Sequence, residues 1–151
     1  MMEDTILEVE NLRTSFTTDA GSVQSVRGIT FRVGKGESLG IVGESGCGKS
    51  VTMLSIMGLL EDNASRQADA LLFGGEDLLK KSPKEMRKIQ GNRIGMIFQD
   101  PMTSLNPLFT VGEQIRGPLM RHQKLSRKEA EAKALAMLEA VGLPSPERRL
   151  K

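Results

Sequence analysis

Leu39-Gly40-Ile41-Val42-Gly43-Glu44-Ser45-Gly46-Cys47-Gly48-Lys49-Ser50 is the stretch on which the reading of the fold turns. Its first four residues are apolar without alternation, the pattern of a strand covered on both faces. Its last eight satisfy G-x-x-x-x-G-K-[ST], the phosphate-loop pattern. With glycine near ~7% of residues, a chance match in a chain of this length has odds well under about one in a hundred. The residues after the loop, 50–60, carry Val51, Met53, Leu54, Ile56, Met57, Leu59 and Leu60, apolar on most sides of a helix. Such a helix is expected to pack deep against a sheet, its methionines filling gaps.

The chemistry of the loop follows from its geometry. Gly43, Gly46 and Gly48 let the backbone curl so that successive amides point inward, and the helix starting near Lys49 adds roughly half a positive charge. A hollow of that kind suits a polyphosphate. Lys49 would reach the β and γ phosphates as a mobile point charge. The Ser50 hydroxyl would hold Mg²⁺, which keeps its other positions for water and phosphate oxygens. The plainer alternative is a glycine turn with an incidental lysine. Cys47 occupies a variable loop position and reads as a tolerated small residue, with a reactive thiol near a helix N-terminus as the sharper reading.

Towards the N-terminus, residues 6–12 and 13–17 read as strand material, and Asp19, Ala20 and Gly21 supply a turn. Ile29, Phe31 and Val33 alternate with Thr30 and Arg32 as in a half-buried strand, ended by Gly34-Lys35-Gly36. The opening section is expected to be antiparallel. Towards the C-terminus, a polar stretch at 63–69 precedes a strand at 70–73 and a Gly74-Gly75 turn. Ser82, Pro83 and Glu85 then mark a helix start that ends near Gly91-Asn92. Residues 94–98 read as a second buried strand. Thr110 with Glu113 and Ser126 with Glu129 begin two more helices. The last helix places Ala134, Leu135, Leu138 and Val141 on one face and closes at Gly142, with Pro144 beyond.

Composition narrows the classes further. A chain of 151 residues, 38% hydrophobic and 26% charged, belongs with soluble globular domains. No run reaches the roughly 18 apolar residues of a membrane helix, and residues 1–10 lack the basic and apolar blocks of a secretory signal, so a cytosolic location is expected. Cys47 and His122 are the only cysteine and histidine, which argues against zinc sites and hydrolase triads. Net charge is only +2 and the aromatic residues are five phenylalanines, which argues against a nucleic-acid partner. The basic run 80–93, interrupted by Glu85, reads as a solvated helix face.

The segment Met96-Ile97-Phe98-Gln99-Asp100-Pro101-Met102-Thr103-Ser104-Leu105-Asn106-Pro107 resembles the Q-loop region of ABC ATPases, in particular the di- and oligopeptide importer branch. Gly43 to Ser50, Gly91-Asn92-Arg93-Ile94 and Thr110-Val111-Gly112-Glu113-Gln114-Ile115 resemble the same branch, so the likeness spans essentially the whole chain. It implies an α/β fold: a P-loop core with an antiparallel β subdomain at its N-terminus, the start of a helical subdomain, and an incomplete parallel sheet. The corresponding parts are 1–36, 37–99 and 100–151.

The resemblance also implies the site. ATP and Mg²⁺ would be held by Gly43, Glu44, Ser45, Gly46, Cys47, Gly48, Lys49, Ser50 and Val51, with Lys49 and Gln99 catalytic and Ser50 and Gln99 at the metal. Gln99 would touch Mg²⁺ or the attacking water and link the site to the helical subdomain, and an amide can do so without adding charge. Phe16 falls where the family places an aromatic that stacks on adenine, with Val26 as an apolar wall; an isolated phenylalanine on an early strand is equally readable as core. Implied partners are transmembrane permease subunits, a second ATP-binding subunit and, indirectly, an extracytoplasmic substrate-binding protein, at the cytoplasmic face of the membrane.

The family's signature segment, Walker B carboxylates, D-loop and switch histidine would all follow Lys151. The chain therefore reads as the front part of such a subunit. Without a carboxylate to orient water it would forfeit roughly 10²–10⁴ in rate, and its two parallel-type strands would lack neighbours and invite aggregation. Remaining alternatives are a non-transport ABC ATPase, a phosphate-loop kinase of small substrates, and an inert nucleotide-binding fragment.

Overall fold

The antiparallel opening is a single long hairpin. β1 (Thr5–Thr18) and β2 (Gly21–Gly34) pair along nearly their whole length. Asp19-Ala20 form the turn, where the Thr18 hydroxyl donates to the Gly21 carbonyl at 2.7 Å. The two strand stretches expected at 6–12 and 13–17 are thus one strand, interrupted by a bulge. Val9 pairs with Phe31 and Leu12 with Ile29, three residues along β1 against two along β2. The extra residue is accommodated at Asn11, whose φ is 51° and whose amide donates to the Thr30 hydroxyl at 2.9 Å. Strand side chains alternate, so an inserted residue moves all later ones to the opposite face. Val9, Leu12 and Thr14 consequently share one face and are fully buried.

The computed structural model describes residues 4–99 and 104–151, so residues 100–103 of the segment around Gln99 lie outside the described residues. The chain divides into two compact units, Met1–Arg87 and Lys88–Lys151. In the first, β3 (Ala64–Gln67), β4 (Ala70–Phe73) and β5 (Glu76–Asp77) extend the sheet in the order β2-β1-β4-β5, with β3 also on β1. β3 falls in the stretch expected to be merely polar. It is a strand because β1 offers a free edge there, from Arg13 opposite Gln67 to Phe16 opposite Ala64. The unit buries Leu71 and Leu78 completely, with Val26, Ile56, Met57 and Met86 nearly so. Each such side chain contributes about 1.5–3 kcal/mol.

Two expectations fail here. The segments 39–42 and 94–98, read as buried parallel strands, have no ladder; a lone bridge joins Gln90 to Ile94. Val42 is 92% exposed and Ile97 98% exposed. An apolar run without alternation is stable as a strand only between two neighbours, and among the described residues no strand lies beside either segment. The helix expected over 50–60 is α1 (Lys49–Met57), stopped by Gly58 in the left-handed region. Its buried positions are Thr52, Ser55, Ile56 and Met57, so hydroxyls as well as apolar groups face inward.

α2 (Pro83–Ile89) starts on the expected capping box, the Glu85 carboxylate accepting from the Ser82 amide at 2.9 Å and hydroxyl at 2.6 Å. In the second unit, α3 (Val111–Gln123) and α4 (Arg127–Ala140) have complete capping boxes at Thr110/Glu113 and Ser126/Glu129. Each N-cap contributes about 0.5–2 kcal/mol. Leu119, Ala130, Ala134, Leu138 and Leu150 form this unit's core, with Ile115, Leu125 and Leu135 against it. Val141, expected on that face, is 72% exposed because it caps α4 and no longer follows the helical period. The short α5 (Pro146–Arg149) brings Leu150 to Gly112, whose amide donates to the Leu150 carbonyl at 3.1 Å. Any side chain on Gly112 would collide with that carbonyl oxygen.

Candidate functional site

The loop from Gly43 to Ser50 joins the segment 39–42, which forms no strand, to α1 and rests on β2. Thr14 pairs with Val26 and Ser15 with Gln24, which leaves Ser25 as an extra residue bulging from β2. The Ser25 carbonyl approaches the loop where Gly48 stands. A methyl group on Gly48 would lie 2.6 Å from that oxygen, and Gly48 has φ 97°, so only glycine serves at this position. The Val26 methyl lies 3.7 Å from the same point, placing its buried side chain against the loop.

Gly48 is also the N-cap of α1, with no side-chain cap, and the first helical bond runs from the Thr52 amide to the Gly48 carbonyl at 2.8 Å. The amides of Lys49, Ser50 and Val51 therefore form an open first turn, with no backbone acceptor among the described residues. No acidic residue occupies that turn to neutralise it. Lys49 is half-buried and folds back over the loop. Its ammonium donates to the Gly43 carbonyl at 2.6 Å and the Glu44 carbonyl at 2.7 Å, and lies 3.5 Å from Cys47 Sγ. Helix N-terminus, unpaired amides and ammonium give one small region a positive potential, the chemistry of an anion site.

A cavity of about 530 Å³ adjoins the loop, lined by β2 from Val23 to Arg27 and by Gly46, Cys47 and Thr52. Phe16 is half-buried on β1 and is the cross-strand partner of Val23, although it is not itself a wall of the cavity. The exposed Ser50 stands at the second helical position. Gln99 belongs to the second unit, where it is exposed and outside regular structure. The expected residues Gly43 to Val51 and Val26 are thus gathered at one end of α1, and Phe16 stands on the hairpin face that packs towards it.

Four contributors escaped the sequence reading. Ser25 supplies the carbonyl under Gly48. Thr14 and Ser55, both fully buried, meet through their hydroxyls at 2.7 Å. Arg66 donates to the carbonyl of Ser55 and, at 3.2 Å, to that of Leu78. Burial lowers the Arg66 pKa from its ordinary value, and its charge sits at the C-terminal, negative end of α1. The available signal was the pair of hydroxyl residues, Thr52 and Ser55, inside an otherwise apolar helix. Nothing in a polar stretch singles out Arg66.

The donor set fits a triphosphate through free amides, an ammonium and a glycine without room for a side chain. For magnesium the fit is one hydroxyl, Ser50. Among the described residues no group of three or more His, Cys, Asp or Glu side chains offers a protein-only metal cage, so phosphate oxygens and water would supply the remaining positions.

The sequence profile of the ABC transporter family matches residues 26–151. The chain belongs to the ABC transporter family. Among similar proteins, this ABC-family chain is 55% identical to the dipeptide transport ATP-binding protein DppD of Bacillus subtilis over 97% of its own length and 44% of that protein's. It is 50% identical to the oligopeptide transport ATP-binding protein OppD of the same organism, covering 96% of this chain and 41% of that one. With OppD of Escherichia coli the identity is 45%, covering 98% and 44%. The ABC-family chain thus spans less than half the length of these curated relatives. Its fold matches the solved dimeric structure of MJ0796, a bacterial ABC transporter cassette, with a TM-score of 0.80 over 96% of this chain and 60% of that one, at 22% identity. The α/β fold class with an antiparallel N-terminal sheet is that of an ABC cassette. Among the described residues, no helix is long and apolar enough to cross a membrane.

Proposed function

We propose that the chain is the nucleotide-binding portion of an ATPase subunit that powers peptide import through an ABC-type transporter. The carrying observation is the loop itself, in which the Lys49 ammonium spans the Gly43 and Glu44 carbonyls beside an uncapped helix start. In this reading 1–36, 37–99 and 100–151 are its antiparallel, phosphate-loop and helical portions.

The residues divide the work along α1. Gly46, Gly48, Lys49, Ser50 and Val51 present amides to the β and γ phosphates, and Lys49 exchanges its carbonyl acceptors for phosphate oxygens. Ser50 would hold magnesium, which would supply neutralisation of the phosphate charge. Val26 and Phe16 form the apolar side for the base. For Gln99 the resemblance alone supports a role, in which its amide would serve at the metal or the attacking water without adding charge. Permease subunits, a second ATP-binding subunit and an extracytoplasmic binding protein complete the assembly at the cytoplasmic membrane face. Peptides as cargo are supported by the names of the relatives.

Titration with a fluorescent ATP analogue and Mg²⁺ tests this. Saturable binding by the chain that Lys49→Ala weakens at least tenfold is expected, the loss of a charged hydrogen-bond donor costing about 1.5–3 kcal/mol. Absence of saturable binding by folded chain, or equal binding by Lys49→Ala, overturns the reading.

A further inference from the structure

We infer that the buried Thr14–Ser55 hydroxyl pair is the joint that sets the spacing between the base end and the phosphate end of the nucleotide site, an inference that rests on the nucleotide-binding reading above. The Ser55 hydroxyl donates to the Val51 carbonyl at 2.6 Å, so its single proton is committed and Thr14 must be the donor in the 2.7 Å contact between them. The result is a directed chain, Thr14 to Ser55 to the backbone of α1, with both hydroxyls fully buried and satisfied.

The pair sits where the two ends of the site are mechanically related. Position 55 is seven residues, about two helical turns, from Gly48, so both lie on one side of α1. That side touches the hairpin twice: at the loop end, where Gly48 meets Ser25 and Val26, and two turns further on, where Ser55 meets Thr14. On the hairpin, Thr14 opposes Val26 and Phe16 opposes Val23, and across the Ser25 bulge Thr14 and Phe16 stay on the same face of β1. The strand that presents the base-stacking candidate is therefore hydrogen-bonded to the helix that presents the phosphate amides. The bulge at Asn11 makes this possible, since without it Thr14 would point away from α1. Thr14 and Ser55 are positioning residues, and they touch no ligand themselves.

A ligand that uses both ends should feel the joint, and one that uses only the phosphate end should not. The test compares MgATP with magnesium tripolyphosphate, which has no base, by calorimetry on the wild-type chain and on Thr14→Val, Ser55→Ala and Thr14→Ser. Thr14→Val keeps the volume but removes the donor. It should weaken MgATP about five- to tenfold, the worth of one neutral hydrogen bond, while changing tripolyphosphate less than twofold. Ser55→Ala should behave alike, and Thr14→Ser, which keeps the hydroxyl, should restore the wild-type ratio. Partial unfolding lowers both apparent affinities by the same factor, so their ratio reports positioning alone. An unchanged ratio in Thr14→Val overturns this inference while leaving nucleotide binding intact. A wild-type chain that binds neither ligand overturns the nucleotide-binding reading itself.

Discussion

Val9 and Val42 are the same residue type in two apolar, strand-like stretches of one chain, yet Val9 is fully buried in a ladder and Val42 is 92% exposed. Among the described residues, the amides of 39–42 have no backbone acceptor, and neither do those of 95–98. The difference lies in where the partner comes from. An antiparallel strand carries its partner just beyond a two-residue turn, as Thr18 and Gly21 show. A parallel strand needs one delivered by a crossover of a dozen or more residues, with helices on both faces. Local apolarity sets the tendency to form a strand; only a neighbour satisfies its backbone.

Hydrogen exchange should separate the two regions by the widest margin. Amides of the β1/β2 ladder are expected to be protected up to the global stability of the unit, and those of 39–42 and 95–98 to exchange at close to unprotected rates. Comparable protection in both would break the contrast. Substitution gives the next largest effect. Leu12→Ala should cost about 2–5 kcal/mol in urea unfolding through the cavity it leaves, whereas Val42→Asp should stay within about 0.5 kcal/mol, as exposed positions do.

Arg66→Leu probes the part of the sheet nearest α1. It removes a charged donor from the Ser55 and Leu78 carbonyls and should lower stability by about 1.5–3 kcal/mol. A neutral outcome would mean that Gly58 alone secures the end of α1.

The smallest effect belongs to the helical unit, whose starts are local. Glu113 is held below the ordinary carboxylate value by the Thr110 amide and then its hydroxyl, Glu129 by the Ser126 hydroxyl and then its amide. A depressed folded pKa contributes stability that is fully present above the unfolded value, here 4.5, and is lost as pH falls through the folded value. Helical circular dichroism should therefore hold steady above about pH 4.5 and decline below it, and Glu129→Gln should shrink the acid-induced change.

These contrasts explain which features were legible. All three capping boxes were readable because Ser82/Glu85, Thr110/Glu113 and Ser126/Glu129 satisfy amides within four residues of chain. The Gly43–Ser50 loop was readable for the same reason, its glycines and lysine acting on neighbouring backbone. β3 was missed because Ala64-Ser65-Arg66-Gln67 has no apolar pattern and is held by the edge of β1. Thr14 and Ser55 were missed because they stand 41 residues apart, and a hydroxyl on a strand or in a helix gives no sign of its partner.

By itself, then, the chain's order of residues determined the helix starts, the hairpin turn and the curl of the Gly43–Ser50 loop, because each closes its hydrogen bonds over a few residues of backbone. Tertiary structure alone decided that the Asn11 bulge turns Thr14 inward, that Ser25 meets Gly48, and that 39–42 and 95–98 join no ladder among the described residues. Those outcomes depend on atoms brought together from distant positions, where burial and the need to satisfy polar groups choose among arrangements that local pattern leaves equal.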